Sequence, residues 1–301
     1  MSTRRSDIAP LGKRLKLQLF SLVALNSYFW SPVGKYVCVP VLNCYACPVG
    51  TVSCPIGSIT AFALFRLIPY YIIGTLGLVG VTVGRAFCGW ACPFGLLQDA
   101  LYRLRSRKWR MPRPANWLKY ALLLVLVIGL PALYRKGQDK TGADRIVAEK
   151  VGARDYCAFV CPVGTLEAGV PGIVVSKDLR AKATWRTWSK FAILFGVLGL
   201  MVVSRRSFCR TLCPLGATMA LLSRASLLRL RTDSTKCTRC LRCVKVCPTD
   251  CRKVPERGGQ AEATAECVLC LDCVRGCPEP GALSALLAGR EISVSKGKVR
   301  A

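Results

Sequence analysis

Eight cysteines near the C-terminal end fall into two tandem runs, and their spacing leaves few folds open. Cys237, Cys240, Cys243 and Cys247 follow a C-x2-C-x2-C-x3-C pattern closed by Pro248. Cys267, Cys270, Cys273 and Cys277 repeat it, closed by Pro278. Gaps this short hold soft thiolates within reach of one metal centre, and this repeated pattern suits an iron–sulfur cubane far better than zinc. The 301 residues include 19 cysteines and no histidine, which removes bis-His haem, Rieske centres, Cys2His2 zinc and His-dependent catalysis together. A disulfide scaffold is disfavoured too, because these are ligand spacings and the chain is long enough to bury its own core.

The rest of the chain is apolar and basic. Hydrophobic residues make up 52% and sit in blocks, which points to membrane spans. Four segments are expected to span: Leu17 to Gly34, Leu67 to Gly84, Trp117 to Tyr134 and Trp185 to Ser204. The first is the weakest, since it carries Gln18 and Asn26; Lys119 is expected to snorkel from the third. At 1.5 Å per residue, 18–20 residues give roughly 27–30 Å, just enough for a ~30 Å hydrocarbon core. A net charge of +28 fits arginine-rich cytoplasmic loops rather than nucleic-acid binding. Between Arg85 and Arg113 there are seven basic residues against Asp99 alone, whereas Tyr28 to Ser58 has only Lys35. That asymmetry places both termini and the loop after the second span in the cytoplasm. The basic N-terminus reads as a lead into a signal anchor, without a cleavage site.

The other cysteines form an internal repeat. Phe87-Cys88 leads to Cys92-Pro93-Phe94-Gly95, and Phe208-Cys209 leads to Cys213-Pro214-Leu215-Gly216, each at the end of an expected span. A second group, expected on the opposite side, comprises Cys44 and Cys47 before Pro48, Cys54 before Pro55, and Cys157 and Cys161 before Pro162. The order recurs twice, so a duplicated half packed about a pseudo-two-fold axis would bring Cys88, Cys92, Cys209 and Cys213 together. Proline suits the first position of a following helix, where its missing N–H costs nothing. A cysteine at such a helix start is a readier thiolate and hence a readier ligand. These nine cysteines are therefore candidate metal ligands, with a disulfide the rival for the outer five. The leucine-rich runs after the two inner motifs are expected to lie along the membrane interface.

Together these motifs resemble the NapH-type membrane subunits and their NosR-like and polyferredoxin-like relatives. The resemblance covers most of the chain: the spans, the motifs at 88–93 and 209–214, and the tail from Cys237 to Pro278. It implies a membrane-bound electron-transfer protein of the cytoplasmic membrane, a subunit of an oxidoreductase system rather than a stand-alone enzyme. The tail, like a two-cluster bacterial ferredoxin, would hold two [4Fe-4S] clusters by crossover: one on Cys237, Cys240, Cys243 and Cys277, the other on Cys267, Cys270, Cys273 and Cys247. Implied partners are membrane lipid, a redox protein (a ferredoxin, a reductase or an extracytoplasmic acceptor) and quinone. A second reading from another class is a redox sensor or a copper-centre assembly factor, since soft thiolates suit Cu(I). The expected architecture is mainly α: a duplicated four-span bundle over 1–228, a small ferredoxin-like α+β domain over 229–290, and a basic tail over 291–301.

Overall fold

A computed structural model describes residues 12–28, 34–65, 67–104, 106–134, 156–181, 183–251 and 265–297. The N-terminal lead, residues 29–33 of the first expected span and residues 135–155 after Tyr134 lie outside the described residues. Proline sets the helix starts. Helix α1 covers Gly12–Leu25, α2 Pro55–Phe65, α3 Tyr70–Thr82, α4 Ala86–Trp90 and α5 Pro93–Leu101. A long helix, α6, runs over Pro114–Leu133, followed by α7 (Tyr156–Phe159), α8 (Pro162–Val175) and α9 (Lys177–Ala181). Then come α10 (Trp185–Val203), α11 (Ser207–Thr211) and α12 (Pro214–Leu222). Helices α2, α5, α8 and α12 all begin at the proline of a C-P-x-G motif, as the missing N–H favours. Two π-helical turns, 123–129 and 165–169, sit just before Pro131 and Pro171. A proline inside a helix cannot donate to the carbonyl four residues back and its ring crowds it, so the ladder widens there.

Of the four expected spans, two are helices long and apolar enough to cross a membrane among the described residues: Pro114–Leu133 and Trp185–Val203. The second expected span shortens to the 13 residues of α3, bounded by Pro69 and by Gly84 in the left-handed region (φ 59°). The first is amphipathic: Arg14, Gln18 and Ser21 are buried on one face of α1 while Phe20 and Val23 are exposed on the other. Lys119 does not snorkel. Its ammonium is fully buried and pairs with Glu266 (2.6 and 2.7 Å), because a buried charge needs a counter-charge. Helix α5 packs against α10, and α12 against α3, so each repeat's second helix supports a helix of the other repeat.

The C-terminal part is small and mixed. Strands β1 (Leu228–Thr232), β2 (Leu283–Leu287) and β3 (Arg290–Val294) form an antiparallel sheet in that order, with Leu230 opposite Ala285. Short helices α13 (Arg242–Val246) and α14 (Asp272–Arg275) pair with each other and cover its buried face. Apolar side chains such as Tyr71, Ile73, Leu78, Leu124, Val125 and Phe195 stay exposed on α3, α6 and α10, a face that fits association with lipid rather than water.

Candidate metal centres

Each tail run is held in the same unusual turn. Arg239 and Leu241 flank Cys240 with φ of 53° and 58°, and Leu269 and Leu271 flank Cys270 with 48° and 60°. Non-glycine residues adopt this left-handed region at a cost, so the recurrence at equivalent cysteines marks a site that dictates its backbone. Cys237, Cys240, Cys243 and Cys277 line one cavity with Thr238, Leu283 and the left-handed pair. Cys247 lies on the other side, where its charge acts on Cys270 and Cys273. The Leu269 amide donates to Cys267 Sγ at 3.4 Å. Cys251, which has no sequence pattern, also belongs here. Its amide donates to Cys247 Sγ (3.3 Å), and the Thr249 hydroxyl stands 3.6 Å from Cys247 Sγ and 3.3 Å from Cys251 Sγ.

The two inner motifs meet in the core. Cys88, Cys92, Cys209 and Cys213 are all buried, and the charge of each of the other three acts on Cys213. Both motifs fold alike: the Phe87 carbonyl accepts from Ala91 and Cys92 (2.9 and 3.0 Å), and the Phe208 carbonyl from Leu212 and Cys213 (both 3.0 Å). Each repeat also sends an arginine, three residues before its first cysteine, across to the other. A Cβ on Gly95 would lie 3.5 Å from Arg206 Nη2, and one on Gly216 would lie 3.3 Å from Arg85 Nη2. Both guanidiniums are fully buried. Sequence reasoning passed them by, although R-x2-C recurs at both motifs.

Their counter-charges break the symmetry. Arg206 bonds Asp99 through Nε (3.1 Å) and Nη2 (2.7 Å) and donates Nη1 to the Cys88 carbonyl (3.1 Å). Arg85 pairs with Glu266 (3.2 Å). Burial alone would push the Asp99 carboxyl up, but the Arg206 and Arg14 guanidiniums outweigh it and hold it below the usual carboxylate value. Burial pushes the Cys92 thiol up to about 12. Such a thiol is inert as a nucleophile and ligates only where a metal displaces its proton.

The outer cysteines are not on the opposite face. Tyr156 is buried, and its backbone carbonyl accepts from Cys161 (3.0 Å) while its hydroxyl donates to the Leu212 carbonyl (2.9 Å), one residue before Cys213. The Leu42 amide donates to Cys92, two residues before Cys44. The chain thus leaves this end through α2 and α8 and returns to it through α3 and α10. Expecting one crossing per apolar segment overlooked the short α2 and the proline-broken α8, which turn each repeat into a hairpin.

The tail docks directly on the inner motifs. Cys88, Val268 and Cys270 form one buried patch. Gly89 is needed there, since a Cβ would stand 2.4 Å from the Val268 carbonyl oxygen. Trp90 donates its indole N–H to Leu269 O (2.9 Å) beneath Arg275. Arg14 ties three parts together: it donates to Gly89 O (3.0 Å) and Asp272 (2.9 Å) and pairs with Asp99.

These residues fit iron–sulfur clusters. Arg85 Nε and Nη2 are buried without an oxygen or nitrogen partner, and the charges of Cys88, Cys209 and Cys213 act on this guanidinium, as expected of donors facing an anionic group. Four thiolates around a cubane carry net negative charge, which two guanidiniums offset. Among the described residues no three thiols converge tightly enough for a single ion, and no disulfide joins any pair. Fold and thiol sets together define a ferredoxin-type 4Fe-4S protein joined to an apolar helical half. Comparison bears this out. A 4Fe-4S binding domain family matches residues 67–112, 151–177 and 187–232, and a second 4Fe-4S binding domain family matches 230–253. An uncharacterised protein of Methanocaldococcus jannaschii is 29% identical over 69% of this chain and 78% of its own length. Regulatory protein NosR of Pseudomonas aeruginosa is 32% identical over 55% of this chain and 20% of its own. The methylamine utilization ferredoxin-type protein MauN of Methylorubrum extorquens is 32% identical over 50% and 42%. The chain therefore spans less than half of NosR and MauN. No solved structure matches it. The chain thus carries 4Fe-4S binding domains and is similar to NosR and MauN, the kind of relative its motifs suggested.

Proposed function

We propose that the chain relays electrons one at a time between the two tail clusters and a third cluster held by Cys88, Cys92, Cys209 and Cys213, and from there to a redox partner in or at the membrane. One observation carries this reading: Cys88 and Cys270, from two different thiol sets, share a single buried patch. A [4Fe-4S] cluster, when bound, supplies a one-electron carrier whose potential follows its surroundings. The protein's part is spacing and charge. Arg85 and Arg206 favour the reduced, more negative state of the inner site. Val268, Gly89 and Trp90 exclude water from the path, and Arg14 fixes the two halves in register. Cys237, Cys240, Cys243 and Cys277 lie nearest the surface and form the port for a cytoplasmic redox protein. The reducing compartment that assembles such clusters is why the tail is assigned to the cytoplasmic face. The exposed apolar faces of α3, α6 and α10 contact lipid in a multi-pass arrangement, and quinone is the membrane partner in reach of the inner site.

The test is anaerobic purification with iron and sulfide analysis and EPR. At least about twelve irons per chain are expected, about four for each of three cubanes, and about eight or fewer would sink the reading. A Cys209→Ser variant should lose one EPR signal and about four irons, leaving the tail signals in place.

A further inference from the structure

We propose that Cys44, Cys54, Cys157 and Cys161 form a fourth four-thiol site, which holds an iron–sulfur cluster next to the inner one and at the same end of the bundle. This rests on the relay reading and extends it by one station.

The inner turn has a third copy. Tyr156-Cys157 leads to Cys161-Pro162, an aromatic-C-x3-C-P motif with tyrosine in place of phenylalanine. Its backbone repeats the other two: the Tyr156 carbonyl accepts from Val160 and Cys161, both at 3.0 Å. Its helix start repeats as well. Cys161 Sγ accepts from the Gly164 amide at 3.4 Å, as Cys213 Sγ does from Gly216 at 3.2 Å. At the inner site two such turns face each other and supply two thiols each. Here the facing element is α2, which Cys54 precedes as Cys92 precedes α5. Four residues before Cys54, where Cys88 stands relative to Cys92, the chain has Gly50.

Cys44 fills the gap. A Cβ on Gly164 would lie 3.5 Å from Cys44 Sγ and 3.9 Å from Cys161 Sγ. Gly164 corresponds to Gly95 and Gly216, the positions that touch the opposite repeat at the inner site, so Cys44 reaches across where an arginine does there. The charge of Cys161 acts on Cys54, and a Cβ on Gly57 would lie 4.0 Å from Cys157 Sγ. Glu167 Oε2 accepts from the Cys44 amide at 2.7 Å and fixes the loop that delivers this thiol. Cys47 is different: Pro48 after it starts no helix, and its amide turns back to the Cys44 carbonyl at 3.0 Å.

Helix α1 shows that the stations form a line. Arg14 touches Asp272 beside the second tail set, and Gln18 touches Gly89 (3.1 Å). Ser21 touches Ala91 beside Cys92 (2.6 Å), and the Leu25 carbonyl accepts from Asn43 beside Cys44 (2.7 Å). Eleven residues of helix are about 16 Å, so three thiol sets lie along that length. Tyr156 stands near cysteines of both the inner and the outer set, with its hydroxyl on the Leu212 carbonyl beside Cys213. Electrons reaching the outer site have moved into the bundle from the tail side rather than across to an opposite-face acceptor.

The full-length protein, purified anaerobically, tests this. Wild type should carry about sixteen irons and matching sulfide, and Mössbauer spectra, which need no variant, should fit four cubanes. Cys161→Ser and Cys54→Ser should each lose about four irons with the signal lost in Cys209→Ser intact, while Cys47→Ser keeps all sixteen or so. About twelve irons in wild type, lost in part by Cys209→Ser but not by Cys161→Ser, would overturn the fourth site and leave the relay reading standing. A disulfide among these four cysteines, found by alkylation and mass spectrometry of the anaerobic protein, would also overturn it. About eight irons or fewer would instead defeat the relay reading itself.

Discussion

Replacing Asp99 by asparagine isolates the charge logic at the centre of the molecule. The side chain keeps its shape and loses its charge. Asp99 faces two guanidiniums, those of Arg206 (0% exposed) and Arg14 (3% exposed). Arg14 retains Asp272 at 2.9 Å, so the loss falls on Arg206, which keeps its bond to the Cys88 carbonyl and a neutral amide oxygen but loses its carboxylate. Breaking one partner from a buried ion pair costs about 3–5 kcal/mol, because the surviving charge has no water to replace it. The apparent melting temperature in detergent should fall by roughly 6 °C or more. A double-mutant cycle with Arg206→Met should recover much of that loss, with a coupling of about 2 kcal/mol or more. The pH dependence follows from the sign of the shift. Asp99 is held below its unfolded value, so it contributes stability that is present above about pH 4 and is lost as pH falls through the folded value. The variant should lack that part of the acid-induced loss. A fall of less than about 2 °C, or strictly additive single losses, would refute the claim that Asp99 holds Arg206 in place.

Other consequences are as direct. Gly89→Leu puts a side chain where a Cβ alone would come within 2.4 Å of the Val268 carbonyl, an overpacking of about 1–3 kcal/mol. Stopped-flow reduction should show the inner signal reduced at least about fivefold more slowly, with the iron content unchanged. Arg85→Met removes a buried positive charge beside the inner thiols, so redox titration should find that potential lowered by about 60 mV or more, about 1.4 kcal/mol for one electron, with the surface-exposed tail cluster unmoved. Glu167→Gln removes a carboxylate beside Cys44, and only the outermost signal should shift, to a more positive potential.

Much of the tail was legible because its chemistry is local. Cysteine spacing and the closing prolines encode the turns that hold three ligands of each set, and those turns recur at Cys240 and Cys270. The crossing thiols, Cys247 and Cys277, are a matter of packing, which the resemblance supplied and spacing alone did not. The C-P-x-G motifs were legible as helix starts for the same local reason. Gln18 in the first apolar segment read as a weakness for spanning. With Arg14 and Ser21 it forms a stripe at helical spacing, and that stripe is how α1 docks.

Ligand chemistry and the duplication were therefore fixed by residue type and order: thiols without histidine, and prolines that start helices. Which thiols meet was decided by tertiary structure. Hydropathy counts apolar residues and is blind to whether a segment crosses or doubles back, so the outer cysteines looked remote from the inner ones. The hairpins bring them to one end, because short α2 and proline-broken α8 turn back toward the core. The buried charges are tertiary as well. Arg85 read as a loop cation and Lys119 as a snorkelling one, Arg206 carried no reading, and only the meeting of Asp99 and Glu266 with them in the interior makes their burial affordable.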